Sequence, residues 1–237
     1  MGALMEDIQE KKYDVLVIGA GAAGMRAAIA ASDEGANVCL VSKSLLGKAH
    51  TVMAEGGAAA ALGNADERDN WKVHFRDTIK GGKHLNNWKM AKIHAEQAPE
   101  RILELERWGA VFDRTKDGKI NQRNFGGHRY PRLAHVGDRT GLEIIRTVQD
   151  KVIHQDNIDI FMECTVAKII TENNQAVGAL AYYRNNGELV AIHAKATVVA
   201  TGGIGKAYRV TSNSWEYTGD GHSLAYLACL LYTSDAA

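Results

Sequence analysis

Residues 13–44, YDVLVIGAGAAGMRAAIAASDEGANVCLVSKS, constrain this chain's fold more than any other stretch. YDVLVI follows a charged leader and reads as a buried parallel strand. It runs directly into Gly19-Ala20-Gly21-Ala22-Ala23-Gly24. An alanine-rich helical pattern, MRAAIAASDEGA, comes next, and NVCLVSKS reads as a second buried strand. The order strand, GxGxxG, helix, strand predicts a βαβ unit that grips a dinucleotide. Gly19 permits the tight turn, Gly21 lets the backbone near a pyrophosphate, and Gly24 lets helix and strand pack closely. The helix N-terminus then offers unpaired N–H groups to the phosphates.

The second strand departs from the usual fingerprint. An acidic residue is expected at its end to bond the ribose of NAD. Here the end is Val41-Ser42-Lys43. Ser42 can bond a ribose hydroxyl and Lys43 adds positive charge, which weakens NAD as the ligand and leaves FAD open.

Charge narrows the partners. Lys plus Arg is 28 and Asp plus Glu is 28, a formal net charge of zero, so nothing argues for nucleic acid. No apolar run reaches the ~18 residues of a membrane span, and direct membrane insertion is not expected. The leader MGALMEDIQEKK has neither the secretory nor the myristoylation pattern. Cys39, Cys164 and Cys229 form no CxxC pair and read as reduced thiols of a cytosolic protein, with no metal site. Glycine pairs recur without a fixed period at 56–57, 81–82, 126–127 and 202–203, where backbone can approach a ligand.

After the βαβ unit comes SLLGKAHTVMAEGG, residues 44–57, with no helix or strand period. Ser42-Lys43, a short loop and His50-Thr51-Val52-Met53-Ala54-Glu55-Gly56-Gly57 closely resemble the flavoprotein subunits of succinate dehydrogenase and fumarate reductase, which carry SK and then HTxxAEGG. That family joins the histidine covalently to the 8α carbon of FAD, so the resemblance implies attachment through His50. A neutral imidazole supplies the nucleophilic ring nitrogen. L-aspartate oxidases, which bind FAD noncovalently, generally have serine at the histidine position and AQGG for AEGG. His50 and Glu55 both favour the dehydrogenase side.

The resemblance runs from about residue 13 to about 228. WKVHFRDTIKGG, residues 71–82, looks like the family's helix and glycine turn. A helical period over 86–108 places Ile93, Ala98, Ile102, Leu105 and Trp108 on one buried face, with an interruption at Pro99. Glu96, Glu100, Glu104 and Arg107 read as a solvated face. Arg123-Asn124-Phe125-Gly126-Gly127 is similar to the family's RxFGG. This implies that Arg123 supports flavin attachment electrostatically and that Phe125, Gly126 and Glu55 form a wall of the dicarboxylate site. His128 and His135 read as structural or rim residues. Asp138-Arg139-Thr140-Gly141 matches D-x-TG, which opens a helix that Asp138 or Thr140 could cap.

Residues 158–201 read as a three-stranded antiparallel meander, IDIFMECTVAKII, AVGALAYYR and ELVAIHA, with a hairpin turn at Asn186-Gly187 and KATVVATGG as a return strand. The resemblance puts the backbone of Thr165 and Val166 at the adenine, Thr201 and Gly202 at the cofactor, and Asp220 of Thr218-Gly219-Asp220-Gly221 on the ribityl chain, with helix capping as its ordinary alternative. The implied FAD set is thus Gly19, Ala20, Gly21, Ala22, Ala23, Gly24, Val41, Ser42, Lys43, Ala49, His50, Thr51, Glu55, Gly56, Gly57, Arg123, Thr165, Val166, Thr201, Gly202 and Asp220.

The expected architecture is α/β: a Rossmann-like FAD-binding domain over 1–228 with a parallel sheet, an antiparallel meander and a helical insertion at about 66–150. Residues 229–237 depart from the family pattern and read as a foreign tail. The family's cap domain and main catalytic residues are expected further along than this chain reaches, so no turnover is expected from it alone. The resemblance implies oxidation of succinate to fumarate, or the reverse, by hydride exchange with FAD. Electrons would pass to an iron–sulfur subunit, membrane anchor subunits and quinone, on the cytoplasmic face of a bacterial plasma membrane. GKAHTVMAEGG and SNSWEYTGDGH look like the branch of menaquinone-linked bacteria. A soluble fumarate reductase, an L-aspartate oxidase or an inactive nucleotide-binding fragment are the alternatives.

Overall fold

A computed structural model describes residues 8–228; Cys229 and the stretch read as a foreign tail lie outside them. The chain is α/β and divides into two compact units. One holds residues up to His50 and from Val148 onward; the other is Thr51–Thr147.

The first unit is built on β1 (Gln9–Ile18), α1 (Ala22–Asp33) and β2 (Val38–Val41). β1 starts four residues before the apolar run, because Gln9–Lys12 pair in parallel with Val190–His193 of β9 (Leu189–Val199). Pairing with a neighbour carries the strand through a charged leader that no apolar pattern marks. All four β2 residues are buried, as a strand covered on both faces must be. The sheet has six strands in the order β6-β2-β1-β9-β8-β7.

β6 (Ile158–Phe161), β2, β1 and β9 are parallel, while β9, β8 (Gln175–Tyr183) and β7 (Cys164–Glu172) are antiparallel. Two expectations are thereby corrected. IDIF belongs to the parallel part, and the chain breaks after it at Glu163, whose φ is +52°. ELVAIHA and the return strand are one element, β9, which serves both the meander and the parallel sheet. The tightest turn is also elsewhere: Asn173 and Asn174, with φ of +50° and +61°, join β7 to β8. The loop containing Asn186-Gly187 is longer and closes through Gly187 N–H to the Tyr183 carbonyl at 2.8 Å.

Leu16, Ile18, Cys39, Val41, Cys164, Val166, Ile169, Val190 and Ile192 form the core beneath this sheet. Burial of each large aliphatic contributes about 1.5–3 kcal/mol. Cys39 and Cys164 are free and fully buried, and desolvation pushes both thiols up, Cys164 to about 11. They are core residues.

The second unit contains α2 (Trp71–Gly81), α3 (Trp88–Arg107), the start of α4 (Thr140–Ile153), and a small sheet ordered β3-β5-β4. Its strands, β3 (Ala58–Ala59), β4 (Gln122–Arg123) and β5 (Leu133–Ala134), are too short to give a period. Asn70 and Asn87 cap α2 and α3 through their side-chain oxygens. α3 runs through Pro99 unbroken. Its buried residues are Ala91, Ala95, Ala98 and Ile102, so the expected face holds at Ala98 and Ile102, with Leu105 partly buried against the same cluster, and fails at Ile93, which is 44% exposed. The solvated face is as expected at Glu96, Glu100 and Arg107, with Arg107 2.6 Å from Glu100, while the Glu104 side chain is mostly covered and lies 2.8 Å from Arg101.

Candidate flavin site

The Gly19–Gly24 turn is specified by close packing. Gly19 has a φ of +110°, and a Cβ there would lie 2.3 Å from the Ala200 carbonyl oxygen. A Cβ on Gly24 would lie 1.8 Å from the Gly19 carbonyl oxygen. Only hydrogen fits at either place. Gly21 is the N-cap of α1, with no side chain capping the helix and no acidic residue in its first turn. The first N–H groups are therefore left to whatever binds there, and the helix end favours an anion. These residues fit a pyrophosphate.

At the end of β2, Ser42 is buried; its N–H donates to the Phe161 carbonyl at 2.8 Å and its carbonyl accepts from Cys164 N–H at 2.9 Å. Lys43 turns to α5 (Asp220–Leu227), where its Nζ lies 2.5 Å from Thr218 Oγ1 and 2.7 Å from Asp220 Oδ2. Burial alone would raise the Asp220 carboxyl; the hydrogen bonds from Lys43 and Thr218, with the lysine charge, outweigh it and hold it low. Asp220 makes no capping bond, since the N-cap is Gly219, in the left-handed region at φ +81°. Thr201 packs on Gly221, where a Cβ would lie 1.9 Å from its Oγ1. The glycines around Asp220 thus let α5 start against the loop after β9.

His50 begins a 3₁₀ turn, His50–Met53, in a stretch without a sequence period. Its Nδ1 accepts from the Ser214 N–H at 3.1 Å, and its ring lies 4.5 Å from the Tyr217 ring at 41°. Nδ1 carries no proton in this arrangement, so the ring proton sits on Nε2. Tyr217 also covers Gly202, which the resemblance puts at the cofactor: a Cβ there would lie 2.5 Å from its Cε1. Neither Ser214 nor Tyr217 was identifiable from the sequence. A backbone donor has no residue signature, and the partners lie 164 positions apart.

In the second unit, Arg123 donates from Nε to the Gly56 carbonyl at 2.7 Å and from Nη2 to the Glu55 carbonyl. Its Nη1 lies 3.1 Å from Asp138 Oδ1. The guanidinium therefore clamps the backbone of the AEGG turn. Phe125 is 60% exposed, and a Cβ on Gly56 would meet its ring at 3.7 Å. Glu55, Phe125 and Gly126 are all exposed, and Phe125 and Glu55 are brought to the same turn through Gly56. Gly57, at φ +116°, lies against β5, 2.9 Å from the Ala134 carbonyl oxygen to a built Cβ. Thr140 does not cap α4 through its side chain; its Oγ1 accepts from Val136 N–H at 3.2 Å.

Thr165 and Val166 lie in β7, paired with Tyr182 and Ala181; β7 ends the sheet, and among the described residues one of its backbone edges has no neighbouring strand. Val166 is buried in the core, as are Val41 and Ala20. Ala22 and Ala23 open α1, Ala49 precedes the His50 turn, and Thr51 lies within it.

A buried charge cluster was also missed. Arg132 is fully buried, 2.8 Å from Asp69 and 2.9 Å from Asp77. His74 sits beside it, its ring 5.2 Å from His94 and 6.0 Å from His128. Desolvation, then the charge of Arg132, lowers the His74 pKa to about 4, and the same two causes lower His128. His128 is part of this interior, and His135 lies 2.8 Å from Asp113. Both have the structural settings expected of them. Among the described residues no group of His, Cys, Asp and Glu could hold a metal ion.

The sequence model of the FAD binding domain family matches residues 14–236. The succinate dehydrogenase flavoprotein subunit of Rickettsia bellii is 38% identical over 232 residues, 94% of this chain and 39% of that protein. The fumarate reductase flavoprotein subunit of Haemophilus influenzae is 38% identical over 221 residues, 92% of this chain and 36% of its own length. Among solved structures, Mycobacterium smegmatis Sdh1 in complex with UQ1 superposes with a TM-score of 0.89 at 57% identity, covering 93% of this chain and 39% of that one. The chain thus spans 39% and 36% of the lengths of these two curated relatives. Glycine turn, mixed sheet and sequence likeness agree: the chain belongs to the FAD binding domain family, with flavoprotein subunits of succinate dehydrogenase and fumarate reductase as its relatives.

Proposed function

We propose that this chain is the flavin-holding part of a flavoprotein that interconverts succinate and fumarate, and that it carries FAD covalently through His50. The observation that carries the reading is the fixed imidazole: Nδ1 is engaged by the Ser214 N–H, so the nitrogen left for a bond is Nε2, which would release its proton to solvent as the bond forms, the flavin taking up the electron pair of the C–H bond it loses. The Gly19–Gly24 turn and the bare N-terminus of α1 would hold the pyrophosphate. Lys43, Thr218 and Asp220 would face the sugar and ribityl groups, and Glu55, Gly56, Gly57 and Arg123 the turn that follows His50. When bound, FAD supplies two-electron hydride chemistry.

Arg123 holds the Glu55 and Gly56 carbonyls in place and Phe125 offers an apolar wall beside Gly56, where a dicarboxylate would lie. Positioning of this kind is where the protein contributes to rate. Turnover of the dicarboxylate would belong to the longer proteins, with an iron–sulfur subunit and membrane anchor subunits receiving the electrons on the cytoplasmic side of the membrane. Among the described residues no helix is long and apolar enough to cross a membrane.

Denaturing gel fluorescence tests the reading. After incubation with FAD, the chain should keep yellow-green fluorescence on its band, and His50→Ser should lose it while still binding FAD before denaturation. A dark wild-type band alongside tight FAD binding would place the chain with the noncovalent relatives. A normal rate of dye-linked succinate oxidation by the chain alone would contradict the assignment of turnover to the longer proteins.

A further inference from the structure

We propose that Tyr217 is the positioning residue for His50, a wedge between the Gly202–Gly203 turn and the imidazole. The inference rests on the attachment reading above. One side of the phenol meets the two glycines: built Cβ atoms would lie 2.5 Å from the ring at Gly202 and 3.3 Å from it at Gly203. Its ring also meets His50, with centroids 4.5 Å apart. Gly202, expected at the cofactor, and Gly203 thus also leave room for an aromatic ring.

Tyr217 and the donor to His50 belong to one turn. Tyr217 N–H donates to the Ser214 carbonyl at 3.2 Å, and Ser214 N–H donates to His50 Nδ1 at 3.1 Å. The turn is tied down on either side. Thr211 Oγ1 accepts from Asn213 N–H at 3.1 Å, and Lys206 N–H donates to the Tyr217 carbonyl at 2.9 Å. One rigid loop therefore offers a ring to the imidazole face and an N–H to one of its nitrogens. Flipping the imidazole about its Cβ–Cγ bond would put carbons where the two nitrogens lie and break the Ser214 bond. The Tyr217 ring, tilted 41° against the imidazole, limits the planes in which that bond can be made. Nε2, once its proton has left, needs such alignment, because an error of about 1 Å in placement can cost about 100-fold in rate.

The test uses the whole chain labelled with ¹⁵N-histidine, with the His50 signal assigned by His50→Gln. In the unliganded chain, Nδ1 should show the shift of an unprotonated nitrogen and Nε2 that of a protonated one, with ring-to-ring NOEs between His50 and Tyr217. Tyr217→Leu should erase the preference between the nitrogens and slow covalent FAD incorporation by about 100-fold. Tyr217→Phe, which keeps the ring, should restore both. A proton on Nδ1, absent NOEs, or unchanged incorporation in Tyr217→Leu would overturn the inference. If Tyr217→Leu does not fold, the NOEs and tautomer of the unaltered chain decide. If these are as stated and the chain never attaches FAD, the attachment reading fails while the positioning of His50 stands.

Discussion

Single residues decide whether the phosphate turn forms. Gly19→Ala combines a left-handed φ of +110° with a Cβ 2.3 Å from a carbonyl oxygen. Such strain costs about 1–3 kcal/mol, so the apo melting temperature should fall and FAD affinity with it; an unchanged melt would contradict the packing described here. Asp220 supplies a pH test. Its folded carboxyl is held below its ordinary value, so the stability its contact with Lys43 and Thr218 supplies is present above the ordinary carboxylate range. It is lost as pH falls through the folded value. Removing the lysine charge in Lys43→Met should raise the titration of Asp220, read by carbon-13 NMR, and weaken that acid dependence. At this scale the sequence was legible where a residue type is itself the signal. Gly19, Gly24, His50 and Arg123 stand out by chemistry and spacing. Tyr217 and Ser214 do not, since their significance comes from a loop folding back over a distant histidine.

Elements were legible when their pattern was strong and local. The βαβ unit lies where its pattern puts it and α2 where the family resemblance does, whereas α3 runs unbroken through Pro99 and turns Ile93 outward. β3, β4 and β5 have two residues each, and pairing alone defines them. α4 shows how an element can be fixed by its neighbour. A Cβ on Gly141 would lie 1.9 Å from the Thr51 carbonyl oxygen and 2.7 Å from the Ala54 nitrogen, while Gly141 N–H donates to the Ala54 carbonyl at 2.7 Å. Gly141→Ala should therefore destabilise the chain by about 1–3 kcal/mol, the usual range for overpacking, in a urea titration. It should slow covalent FAD incorporation as well, because the turn it displaces begins at His50. Loss of stability without slower incorporation would uncouple α4 from the attachment turn.

At the scale of the whole molecule, two kinds of core hold the two units. The first is the apolar core under the six-stranded sheet. The second unit adds to a small apolar cluster the buried Arg132, Asp69, Asp77 and His74. Breaking such a buried pair by removing one partner typically costs about 3–5 kcal/mol, so Asp69→Ala should unfold this unit at lower urea than wild type. His74 gives the pH dependence its sign. With a folded pKa of about 4 against an ordinary 6.5, the unfolded chain binds the extra proton first. Stability is then full above pH 6.5 and declines toward pH 4, and His74→Gln should flatten that decline; equal slopes would contradict it. Fold class was readable from one βαβ unit, because strand, turn and helix specify each other within some thirty residues. The buried cluster was not, since its members look like ordinary charges until they are folded together. The central claim is that one imidazole and one glycine turn hold the same FAD molecule. A crystal structure of the chain with FAD tests it most directly. The pyrophosphate should lie at Gly19–Gly24, with continuous density from His50 Nε2 to the dimethyl edge of the ring system. A flavin bound elsewhere, or bound at the glycine turn with its ring remote from His50, would contradict it.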